Sequence, residues 1–164
     1  MIESERLFLR KPTAADVEDP PPFLVDPRVM DFLGGVEDDP GRVVQNWLDG
    51  WEKYPAGKFI VETAAGERIG RVGLNFYDPV RWTRSNLPDA RPELTWALAY
   101  EHWGKGYATE AAVAVRDWFG RGGLISLIAP GNTRSQRVAE RLGATPGEAV
   151  ELPGGGPHVV WTHP

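Results

Sequence analysis

The chain has 164 residues, 41% of them hydrophobic and 25% charged, which suits one globular domain spanning residues 1–164 with a real core. A formal charge of −5 argues against a general nucleic-acid binder and is compatible with a cationic partner such as an amine. The absence of cysteine excludes disulfides, thiolate metal sites and cysteine nucleophiles, and the scattered His102, His158 and His163 make no metal-ligand pattern, so no metal is expected.

Arg6–Arg10 alternates apolar and polar residues and reads as a first strand. Thr13 and Asp16 stand at capping-box spacing and open a helix that Pro20, Pro21 and Pro22 break. Gly41–Lys53 is predicted as a helix, preceded by Asp39 and Pro40, with Val44, Trp47, Leu48 and Trp51 on one face. Lys58–Thr63 and Arg68–Phe76 are strands joined by a turn at residues 64–67, and a long polar loop at 78–91 contains Trp82. An extended apolar run to Tyr100 forms the next strand. Then come Gly104 and Gly106, and after them a helical pattern with Ala111, Val115, Trp118 and Phe119 on one face. Leu124–Ala129 is a short strand, and Thr133–Leu142 a helix that Gly143 ends. Thr133 and Gln136 repeat the box spacing; residues 148–152 and 158–161 are a final pair of strands. Hairpins, then strand–helix–strand–helix, then a hairpin is an α+β order with a single crossover unit. No signal peptide or apolar span is visible, so the reading is a cytoplasmic protein without membrane or nucleic-acid partners.

Residues Trp103–Glu110 carry the most information. The helix after the glycines has no Ser, Thr, Asp or Asn before it, unlike the other predicted helices. Its first N–H groups and the positive end of its dipole are open to an anion, and glycine lets backbone approach a ligand closely. A Walker loop is excluded because no Lys-Ser/Thr pair follows the glycines. A dinucleotide fingerprint is excluded because Thr109 stands at the third glycine position. The remaining pattern, a Gln or Arg followed by x-x-Gly-x-Gly/Ala, cradles the pyrophosphate of coenzyme A. Gly106 and Ala108 match it, with Trp103 in place of Gln or Arg.

Here the chain resembles the GNAT N-acetyltransferases, in their RimJ/RimL-like branch acting on ribosomal proteins. The resemblance rests on Ser4–Arg10, on Asp26–Gly34, on Glu93-Leu94 followed by Trp103–Ala111, on Asn132–Ser135 and on Leu142-Gly143, in that order and spacing. It implies a GNAT fold: a central, mostly antiparallel twisted sheet of about seven strands with about four helices. The fourth and fifth strands of that sheet, here the run into Tyr100 and Leu124–Ala129, would be splayed. It implies an acetyl-CoA-dependent N-acetyltransferase, by direct attack of an amine in a ternary complex, and it allows a homodimer.

By the same resemblance, Trp96, Ala97 and Leu98 would lie along the pantetheine arm, with the backbone N–H near Leu98 polarising the thioester carbonyl. Gly104, Lys105, Gly106, Tyr107, Ala108 and Thr109 would hold the pyrophosphate. Asn132 would contact the pantetheine amide, and Ser135 would line the same arm and protonate the departing thiolate. Many relatives place a tyrosine acid where this chain has Ala139. Glu93, at the start of the strand, is the candidate general base for the ammonium, directly or through water. Glu110 reads as a first-turn structural residue. Trp47 and Trp51 read first as a core stripe; since the family's helix also borders the acceptor, they are candidates for substrate contact together with Tyr77 and Trp82. The acceptor would be a peptide N-terminus, or alternatively an aminoglycoside or other small amine. A third reading is a non-catalytic acyl-CoA-binding module.

Overall fold

The computed structural model describes all 164 residues. Eight strands form one sheet: β1 (Ile2–Glu3), β2 (Leu7–Arg10), β3 (Lys58–Thr63), β4 (Arg68–Tyr77), β5 (Arg91–Leu98), β6 (Ile125–Ile128), β7 (Thr145–Leu152) and β8 (Gly156–Thr162). Five helices accompany them: α1 (Ala14–Glu18), α2 (Pro27–Met30), α3 (Pro40–Lys53), α4 (Tyr107–Phe119) and α5 (Thr133–Arg141). The expected seven strands and four helices are all present. The additions are the two-residue edge strand β1 and the single-turn α2, both too short to show a period. Asp26 caps α2 by accepting from Arg28 N at 3.0 Å, with Pro27 as its first residue.

The sheet runs β1-β2-β3-β4-β5-β6-β8-β7 and is antiparallel throughout except between β5 and β6. Alternation along its strands sorts side chains onto two faces. Phe59, Val61, Val72, Leu74, Leu94 and Trp96 join Ala111, Ala112 and Val115 of α4 and Val138 and Ala139 of α5 in the main core. Ile60 and Ala97 point the other way, to a smaller core with Phe23, Leu24, Val29, Met30, Val44 and Trp47. Helices therefore cover both faces.

The parallel pair β5/β6 meets at one register position, Glu93 opposite Ile125, and then parts. The expected splay is present. Beside the meeting point Ser126 Oγ donates to Leu94 O at 2.6 Å, a side-chain link where a closed sheet would carry backbone bonds. Ser126 in turn accepts from His163 Nε2 at 2.8 Å. On the other edge β5 is paired with β4 along its full length. Gly70, opposite Leu98, permits this close approach, since a Cβ there would run into Ala97 O and the Leu98 side chain.

Candidate active site

The ladder between β4 and β5 decides which amides reach the gap. Ala99 N donates to Ile69 O at 2.7 Å, so Ala99 and, by alternation, Ala97, Thr95 and Glu93 bond to β4. Leu94, Trp96 and Leu98 turn their N–H and C=O groups the other way, toward the gap. Leu94 O is taken by Ser126, and Leu98 O accepts from Trp103 Nε1 at 2.9 Å. The open strand edge is thus short, and Trp96 and Leu98 contribute its N–H groups.

A cleft of about 500 Å³ runs from this edge to the start of α4. Gly104 and Gly106 both have positive φ, 75° and 78°, and Gly106 is the N-cap of α4 without any side chain to cap it. Glu110 N is the first amide of the helix to find an intrahelical partner, Gly106 O at 3.0 Å. Thr109 lines the cleft, and its Oγ1 is buried and has no hydrogen-bond partner. An uncapped helix start with a waiting hydroxyl fits an anionic group. Arg6 braces the loop from behind: it donates to Lys105 O and pairs with Glu110, which also accepts from Ser4 Oγ and Arg6 N. Glu110 is structural, as expected.

Four arginines, Arg28, Arg134, Arg137 and Arg141, line the cleft, and no carboxylate does. Arg134 lies over the Trp103 ring, its Cζ 3.2 Å from the centroid. Lys105 is not in the lining; its Nζ stands 6.0 Å from the centroid of Tyr107.

A second cavity of about 250 Å³ adjoins the first and shares Phe32, Leu33, Trp96, Asn132 and Ser135 with it. Glu93, Asn75, Arg71, Tyr77 and His158 are in its wall. Glu93 is 6% exposed and accepts from Asn75 Nδ2 at 2.7 Å. Burial raises its carboxyl above the usual carboxylate range, against the opposing pull of the Asn75 hydrogen bond and of Lys58, Arg71 and Arg84. Burial likewise holds the Lys58 ammonium well below its ordinary value.

The structure brings most of the sequence-predicted residues together. Trp96, Ala97, Leu98, Gly104, Gly106, Tyr107, Ala108, Thr109, Asn132 and Ser135 line the larger cleft, and Glu93 and Tyr77 line the smaller one. Three tryptophans stand elsewhere. Trp47 is in the smaller core. Trp51 donates to Lys58 O and meets Phe59 and Trp118 edge to face. Trp82 packs on Ile125 and Val160, behind Tyr77. None of the three lines either cavity: Trp47 and Trp51 belong to the apolar stripe that holds α3 to the sheet, and Trp82 is consumed in its own small cluster.

The expected cap of α5 also changes. Asn132, not Thr133, is the N-cap, accepting from Ser135 N at 3.3 Å, while Gln136 Nε2 donates to Pro130 O. Asparagine is at least as good a cap as threonine. The oxygen of Asn132 is thus engaged, and its NH₂ is the end left for a ligand. Of the two amides at the open edge, Trp96 belongs to both cavities and Leu98 only to the larger. Trp96 thus stands at the junction of the two cavities, one pleat before Leu98. Arg71, Ser126 and His163 were not found from sequence. Ser126 was visible as a polar residue in the apolar run 124–128, while the other two depend on register and on the return of the chain end.

A family profile described as an acetyltransferase (GNAT) domain matches residues 6–145. The solved structure of an acetyltransferase from Agrobacterium tumefaciens str. C58 superposes with a TM-score of 0.78 at 33% identity, over 99% of this chain and 94% of that one. Uncharacterized protein YkkB of Bacillus subtilis (strain 168) is 35% identical over 130 residues, 72% of this chain and 69% of its own length. The aminoglycoside acetyltransferase AAC(6')-Ib, solved with paromomycin and acetyl-CoA, superposes with a TM-score of 0.77 over 97% of this chain and 94% of that one. Its identity is 19%, so that likeness is one of fold. The splayed β5/β6 pair, the uncapped α4 and the match over residues 6–145 together place this chain in the GNAT acetyltransferase family, as an N-acetyltransferase.

Proposed function

We propose that the protein transfers acetyl from acetyl-CoA to a primary amine bound in the smaller cavity, by direct attack with donor and acceptor present together. The observation that carries this reading is the meeting of two cavities at Trp96, Asn132 and Ser135. One ends at an uncapped helix start among arginines; the other holds a buried carboxylate.

Acetyl-CoA supplies an acetyl group already activated as a thioester. In this reading Tyr107, Ala108 and Thr109 N–H and Thr109 Oγ1 hold its phosphates, with Arg134, Arg137 and Arg141 adding charge. The Trp96 and Leu98 edge orients the extended arm as a neighbouring strand would. Trp96 N–H donates where carbonyl oxygen charge develops. Glu93 takes the proton of the incoming ammonium, and its raised pKa brings its basicity closer to that task. Ser135 holds a hydroxyl proton at the junction, available to a leaving sulfur directly or from water. The finer RimJ/RimL-like assignment, with a peptide N-terminus as acceptor, rests on the sequence motifs alone. The alternative acceptor is a small amine, the class of ligand that the solved AAC(6')-Ib complex holds.

The test is CoA release against a panel of amines, with acetyl-CoA binding measured by calorimetry. Glu93→Gln should lower kcat about 10²- to 10⁴-fold while leaving the Kd for acetyl-CoA unchanged. Unchanged kcat removes the base assignment. Tight acetyl-CoA binding with no turnover on any amine would instead establish a non-catalytic acyl-CoA module.

A further inference from the structure

The wall of the smaller cavity holds a cation that the reaction does not use. Arg71 lies on β4, on the same face of the sheet as Glu93. Its single side-chain hydrogen bond is from Nη1 to Thr95 Oγ1, at 3.1 Å. Every ion pair in the protein belongs to other cations. A guanidinium carries five donors in a flat fork. Most of that fork is unspent, inside a cavity, beside a neutral threonine.

The charges around it do not explain it. Glu93 is held by Asn75, and Glu37 reaches Arg71 only through its field. Lys58 and Arg84 also act on Glu93, and neither side chain makes a hydrogen bond or an ion pair; the Arg84 guanidinium stacks on Tyr54 and Tyr77. Of the three, Arg71 alone is in the cavity wall, where it is the guanidinium facing the single carboxylate. Such a cavity is poorly matched to a polycationic acceptor and well matched to one that brings its own negative charge.

We propose that the acceptor is a small amine that carries its own carboxylate, and that Arg71 is the residue that reads it. This rests on the acetyl-transfer reading above. The spacing suits it. Arg71 is anchored at Thr95, two residues from Glu93 along one face of β5, or about 7 Å. An ammonium at Glu93 and a carboxylate at Arg71 would be separated by a few bonds. The cavity of about 250 Å³ equals the share of roughly eight water molecules, which is room enough for a free amino acid. A bidentate ion pair needs the planar fork, so a lysine at this place would not replace it.

The experiment compares α-, β- and γ-amino acids with their carboxamides as acceptors, in the wild type, Arg71→Lys and Arg71→Gln. The wild type should favour acids over the matching amides. Both variants should lower kcat/KM for the acids about 10- to 100-fold, mainly through KM, the loss expected for a charged hydrogen bond, while Arg71→Lys, which keeps the charge beside Glu93, should change it for amides by less than threefold. Acetyl-CoA affinity and melting temperature report that both variants are folded. Calorimetry of the same acids with the CoA-loaded protein gives the answer without turnover: binding that weakens in Arg71→Lys supports the proposal. Amides used or bound as well as acids by the wild type would overturn it, as would equal losses on both classes in the variants. Absence of turnover with every amine counts against the catalytic reading, and the binding comparison still decides the role of Arg71.

Discussion

At the scale of single residues, several buried polar groups sit where the sheet opens, and their protonation is tied to folding. His163 Nε2 is engaged with Ser126, while its Nδ1 is buried without a partner. Burial first, and then the field of Arg116, pushes its pKa from 6.5 down to about 4. Between those values the unfolded chain takes up a proton that the folded chain refuses. The contribution of His163 to stability is therefore complete above pH 6.5 and is lost as pH falls toward 4. Melting temperature measured from pH 7 to pH 4 should fall less steeply for His163→Gln than for the wild type. Parallel curves would show that His163 titrates normally in the folded protein. Glu93 has the opposite sign: its raised pKa disfavours the charged form, so deprotonation for catalysis is delayed to higher pH. The acid limb of kcat/KM should lie above the ordinary glutamate range and vanish in Glu93→Gln.

At the scale of elements, the start of α4 separates ligand binding from stability. Most helix starts here are served by nearby oxygens, as Asp39 serves α3 and Asn132 serves α5. Gly106 serves α4 with none, and Thr109 Oγ1 stays buried and unpaired. A buried hydroxyl without a partner costs about 1–3 kcal/mol, so Thr109→Val should leave the free protein as stable as before or more so. The same change should weaken acetyl-CoA about tenfold, by removal of a hydrogen bond to a charged group. Loss of stability together with unchanged affinity would mean that Thr109 belongs to the core. This helix start was legible because all its determinants are adjacent in sequence: two glycines, a missing cap and a helical period. Glu93 was legible for the same reason, at the head of an apolar strand. Arg71 was not, since only the register of β4 against β5 brings it beside Thr95. Trp47 and Trp51 fail in the reverse sense. Their i, i+4 spacing shows that one face of α3 is apolar, and it is silent on whether that face meets the core or a substrate. The strands and long helices followed their periods, while β1 and α2 are shorter than any period can reveal.

At the scale of the whole molecule, charge is distributed against its total. The chain has 23 acidic and 18 basic side chains, yet four arginines and no carboxylate line the larger cleft. Arg134, Arg137 and Arg141 fall at i, i+3 and i+7 on α5, which puts them on one helix face, and Arg28 comes from α2. A positive cleft on an acidic surface focuses a multiply anionic ligand and repels the rest of the protein's like. These side chains are largely exposed at their tips, so their attraction is screened by salt, unlike the backbone amides of α4. The Kd for acetyl-CoA should therefore weaken on the order of tenfold between about 0.05 and about 0.5 M ionic strength, where the screening length drops to a few ångströms. Arg137→Glu should weaken binding at low salt and flatten that dependence, because it removes one cation and adds an anion to the same face. Calorimetry across the salt series with both proteins measures the two slopes. Equal slopes would assign the donor's affinity to the amides and the open strand edge, and would leave the arginine face without a part in holding it.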